Sequence, residues 1–199
     1  MKRKLSFLFY LTSILFVGCK SVKISDLSRQ IDSANKKSIT ESPFQSANTM
    51  HAELKNQLKV RDQYLSKVNE IRTEFPSQTI ILIEHYSQIC IGCFADYVKV
   101  FTNGLLIVLA LDVDKKEYSE KMTRVHTKDL LFENGFYEDI IEIFDRIDAG
   151  KKWNSQPEIY GNEDCFGGDQ SFYTVSFPNG QLESMYMRCW VPKKFRNEN

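Results

Sequence analysis

Cys90, Cys93, Cys165 and Cys189 are the residues whose type and spacing could carry chemistry in this chain. In Cys90-Ile91-Gly92-Cys93 a second thiol stands close enough to resolve a mixed disulfide formed by the first, which is what thiol–disulfide exchange requires. Such a centre works best with its first cysteine at a helix N-terminus, where the dipole lowers the thiol pKa. Here the following residues, Phe94 to Phe101, read as turn and strand, and no Trp precedes Cys90. A structural bridge is therefore expected over a catalytic dithiol. Zinc held by Cys90 and Cys93 with Cys165, Cys189, His85 or His126 lacks paired spacing in its second half. Covalent haem would need His at position 94, where Phe stands. No metal and no cofactor is expected.

Other chemistry is sparsely supplied. Histidine is limited to His51, His85 and His126. His85 closes an apolar run as Glu84-His85-Tyr86, where a hydrogen-bonded strand-end histidine is a plainer reading than an acid–base group. The chain has no Gly-x-Ser-x-Gly elbow and no phosphate-cradling Gly-rich loop. Asp112, Asp114 and Glu117, or Glu163, Asp164 and Asp169, could gather around calcium. Neither set matches a full calcium-loop pattern with its turn Gly and terminal Glu, so solvated turns are expected. Trp153, Tyr160, Tyr186 and Trp190 could form a recognition surface, with the core or its rim as their ordinary place. No catalytic residue is assigned.

The N-terminal residues carry a different signal. Lys2, Arg3 and Lys4 precede an apolar run of 13 residues, Leu5 to Val17, broken only by Ser6, Thr12 and Ser13. This is the charged region and apolar region of a signal peptide, and it falls short of the roughly 20 residues a membrane-spanning helix needs. The run ends in Leu15-Phe16-Val17-Gly18-Cys19, which resembles the lipobox of bacterial lipoproteins, with Phe16 where Leu is usual. The resemblance covers residues 1–19. It implies cleavage of residues 1–18, a lipidated Cys19 and attachment to a membrane through its acyl chains. Lys20, in place of Asp, implies by the same resemblance the outer membrane of the cell envelope, with the domain facing the periplasm.

In that oxidising compartment the four remaining cysteines are expected to form two disulfides, for which three connectivities exist. Cys165 and Cys189 flank a hairpin, which favours 165 with 189 and 90 with 93. Loss of Lys2, Arg3 and Lys4 leaves 23 basic against 26 acidic side chains. That balance gives no basic face for displacing counterions, so no nucleic acid partner is expected.

The elements that would position these residues follow from patterning. Residues 19–48, rich in Ser, Lys, Asn and Gln, read as the lipidated N-terminus and a flexible tether, whose coil would reach about 25 to 35 Å. Residues 49–199 read as a single domain. From Ala47 to Phe75 apolar residues recur at helical steps, and Pro76 ends the helix. Thr79 to Tyr86 reads as a strand buried on both faces. Asn103-Gly104 marks a hairpin that would place Phe101 opposite Leu106 and Tyr97 opposite Ala110. Asn179-Gly180 marks a second, with Cys189 opposite Gln170. A second helix is expected between the hairpins, over 136–149, ending at Gly150. Cys90 and Cys165 precede the hairpins at similar distances, a likeness that shared turn chemistry accounts for.

Helices and hairpins without alternating βαβ units predict an α+β fold, with an N-terminal amphipathic helix and an antiparallel sheet built from two hairpins. The functional expectation is a non-enzymatic binding or structural module with a protein or other envelope partner. A thiol oxidoreductase using Cys90 and Cys93, or an envelope immunity protein or inhibitor, are the alternatives.

Overall fold

The apolar run Ile80-Ile81-Leu82-Ile83 lies near the middle of a sheet, where both faces of a strand are covered. The structure, a computed structural model, describes residues 23–87, 91–102, 105–125 and 169–188. These include six strands: β1 (Ile80–Tyr86), β2 (Tyr97–Thr102), β3 (Leu105–Asp112), β4 (Glu117–Val125), β5 (Gln170–Ser176) and β6 (Leu182–Arg188). They form one antiparallel sheet in the order β4-β3-β2-β1-β5-β6.

Alternation along β1 divides its side chains between two cores. Ile80, Leu82 and Tyr86 join a cluster that also takes in the helices, whereas Ile81 and Ile83 join a cluster made, among the described residues, of strand side chains. The helices are α1 (Ile24–Glu41), α2 (His51–Val60) and α3 (Asp62–Glu74), with a 3-10 helix at Gln45–Met50. Leu27 and Ile31 of α1, Leu54 of α2, and Leu65, Val68 and Ile71 of α3 are buried in the first cluster. The chain is α+β, and the described helices precede the described strands.

The first hairpin has the expected register, with Phe101 opposite Leu106 and Tyr97 opposite Ala110. The second does not, because Gln170 faces Arg188 and not Cys189. Its loop holds three residues, Pro178, Asn179 and Gly180, closed by Phe177 N–H to Gln181 O at 2.9 Å and Gly180 N–H to Phe177 O at 3.0 Å. Gly180 takes the left-handed conformation at φ +85°, as in a turn followed by a glycine bulge. The one-residue difference decides which side chains share a face. Tyr186 stands opposite Phe172 in the helix-side core, and Met185 and Met187 enter the other.

The flexible tether expected over 19–48 is corrected from residue 24 onward. Ile24, Leu27, Ile31 and Ile39 lie on one helical face, and the last three are buried. They share that face with Asn35 and Ser38, also buried, whose side chains are hydrogen-bonded. Polar residues that bury through hydrogen bonds lowered the apolar count and disguised the helix. Residues 24–48 thus belong to the folded domain together with those from 49 onward.

The single helix expected over 47–75 is also revised. It runs as the 3-10 helix, α2 and α3, with Arg61 between α2 and α3 in helical conformation at φ −57° and ψ −34°. Pro76 biases Phe75 out of the α region, and Phe75 has φ −127° and ψ 65°. The signal peptide at 1–18, Cys19, Cys90, Cys165, Cys189 and the helix expected over 136–149 lie outside the described residues.

Candidate functional site

Glu84 alternates with Ile83 and His85 on β1, so it points to the helix side of the sheet, where it is fully buried. Its Oε1 accepts Arg61 Nε–H at 2.7 Å and its Oε2 accepts Arg61 Nη2–H at 3.1 Å, a bidentate pair. The Tyr64 hydroxyl also donates to Oε1, and Asn35 Nδ2 donates to Oε2 at 2.9 Å. Asn35 Oδ1 in turn accepts Ser184 Oγ–H at 2.6 Å and Thr174 Oγ1–H at 3.1 Å. Gln57 Nε2 donates to the Tyr64 and Tyr118 hydroxyls at 2.9 and 2.8 Å, while its Oε1 accepts Ala95 N–H at 2.9 Å. Tyr118 completes the chain by donating to Ala95 O at 2.7 Å.

This network joins three helices to the sheet. Asn35 comes from α1, Gln57 from α2, Tyr64 from α3, Glu84 from β1, Tyr118 from β4, Thr174 from β5 and Ser184 from β6. Burial opposes the Arg61 cation, but the Glu84 carboxylate reverses this and holds its pKa above the ordinary value. Burial, reinforced by the Glu84 charge, keeps the Tyr64 hydroxyl protonated well above the usual range. Arg61 and Glu84 are both 0% exposed, so the pair presents no reacting atom to solvent and acts as a tie between layers. Patterning held the signal for it. Arg61 falls on the apolar stripe of Leu54, Leu58, Leu65 and Val68, and Glu84 falls within an apolar strand. Each element therefore buries an opposite charge.

Gly92, which lies between Cys90 and Cys93 in the sequence, packs against α2. Gly92 N–H donates to Glu53 Oε1 at 3.2 Å, and Gly92 O accepts Asn56 Nδ2–H at 2.6 Å. Neighbouring Ile91 is 91% exposed. Cys93 is disulfide-bonded. Residues 93–96 lead without a helix into β2, the turn-and-strand context expected from the sequence.

No family model, curated protein or solved structure matches this chain.

Gly92 is required by its clamp, because its φ is +78° and an added Cβ would lie 2.9 Å from Asn56 Nδ2. Gly92→Ala is expected to lower stability by about 1–3 kcal/mol, the cost of a left-handed non-glycine residue, read as a lower urea midpoint. Gly180→Ala is the reference, with a similar φ of +85° and nothing within 4 Å of its Cβ. A midpoint for Gly92→Ala no lower than that of Gly180→Ala would mean that the clamp is not formed.

His85 sits on the opposite face of β1 from Glu84. Its Nδ1 is 2.9 Å from Ser171 Oγ, on the residue directly across the ladder, and its Nε2 is 4.0 Å from Asp169 Oδ1. Burial lowers its pKa, opposed by the Asp169 charge. This is the hydrogen-bonded strand-end histidine that the sequence suggested.

The remaining candidates are placed as follows. Asp112 is engaged by Lys115, through its N–H at 3.2 Å and its Nζ at 3.1 Å, in the turn between β3 and β4. Among the described residues no three His, Cys, Asp or Glu side chains gather as a metal site. Tyr186 is in the core, with ring contacts to Phe172 and Phe44 at 5.4 and 6.3 Å. Trp153, Tyr160 and Trp190 lie outside the described residues, as do His126, Glu163 and Asp164.

Proposed function

We propose that this chain is a lipid-anchored component of the bacterial envelope, attached through Cys19 and facing the periplasm, whose domain binds or braces another envelope component. The disulfide at Cys93 carries the reading, since such bonds persist in oxidising compartments and are rare where thiols are kept reduced. It agrees with the export signature written in residues 2–19. Among the described residues no helix is long and apolar enough to cross a membrane, and in this reading attachment rests on the acyl chains of Cys19. The buried Arg61–Glu84 pair is accounted for by packing and asks for no substrate.

Mass spectrometry of the membrane fraction tests the anchor. The expected N-terminal peptide begins at an acylated Cys19, and Cys19→Ala abolishes the added lipid mass. An uncleaved N-terminus with an unchanged membrane fraction in Cys19→Ala would overturn the reading.

A further inference from the structure

We infer that the domain lies directly against the headgroup surface of the membrane that carries it, an inference that rests on the proposed anchor at Cys19. The decisive feature is where α1 starts. Ile24 is its first residue, and Leu27, one turn later, is 1% exposed. Further along, Asn35 is bonded to Glu84, Thr174 and Ser184, so α1 is keyed into the sheet by side chains from three strands. Unwinding α1 to lengthen the linker would expose Leu27 and Ile31 and strand the Glu84 carboxylate with one donor fewer.

Only Lys20, Ser21, Val22 and Lys23 then separate the anchor from the helix. A fully extended chain advances at most about 3.6 Å per residue, so Ile24 lies within roughly 18 Å of Cys19. A domain of this size has a radius of gyration of about 13 Å or more, so its width exceeds the leash, and its near surface is held within about 18 Å of the headgroups. Lys20 and Lys23 place two positive charges in that gap, suited to lipid phosphates.

Neutron reflectometry on the full lipidated protein, in a supported phosphatidylethanolamine and phosphatidylglycerol bilayer, tests this. The expected profile has protein density beginning at the headgroups without an intervening water layer. A variant with about 25 Gly and Ser residues inserted between Val22 and Lys23 should move the density outward by roughly 25 Å, the span of such a coil. Wild-type protein that carries lipid on Cys19 and still shows that water layer overturns this inference and leaves the anchor standing. Absence of lipid on Cys19 by mass overturns both.

Discussion

Arg61→Ala is expected to destabilise the domain by about 3–5 kcal/mol, because it leaves a buried carboxylate without its cation. Glu84 would lose both arms of its bidentate pair and keep only the Tyr64 and Asn35 donors. A loss of that size is a large part of the roughly 5–15 kcal/mol that holds an ordinary domain together. Urea denaturation followed by circular dichroism would read it. Arg61→Lys keeps the charge but not the fork, and should fall between. The double variant Arg61→Met with Glu84→Leu removes both charges and should recover much of the loss, since apolar replacement of a buried pair is often neutral or better. A loss under about 1 kcal/mol for Arg61→Ala, the range of an exposed pair, would show that the network is not what ties the layers.

Deletion of residues 24–41 is expected to abolish cooperative unfolding. Leu27, Ile31 and Ile39 are at most 3% exposed, and burying each such side chain contributes about 1.5–3 kcal/mol. The deletion also removes Asn35 from Glu84, Thr174 and Ser184. Removing a flexible tether would leave the melting temperature of the domain unchanged. Thermal melting of the two chains separates these outcomes, and an unchanged transition would restore the tether.

What the sequence made legible follows from how strongly each element is patterned. β1 and the first hairpin were readable because an unbroken apolar run and an Asn-Gly pair each have few alternatives. The second hairpin offered the same pair, but Pro178 lengthens the loop by one residue, and Gly180 forms a bulge in place of a turn centre. β4 was not recognised because Glu117, Glu120, Lys121 and Arg124 interrupt its apolar positions, a common composition for strands at the side of a sheet. α1 was missed because its inward face includes Ser28, Asp32, Asn35 and Ser38. The polar centre was missed for a related reason: one-dimensional patterning scores Arg61 and Glu84 as breaks in apolar faces, and only their meeting in space makes them partners. Of the four cysteines expected to pair, Cys93 is the one among the described residues, and it is disulfide-bonded.

The convergence of so many elements on the Glu84 network has an evolutionary consequence. Position 84 cannot drift alone, since an apolar residue there strands Arg61, and an apolar residue at 61 strands Glu84. Asn35, Tyr64, Gln57 and Tyr118 are bound into the same constraint through shared hydrogen-bond partners. In diverged relatives these positions should change in concert or not at all, so ancestry in this fold would be recorded in covarying interior residues more durably than in its surface.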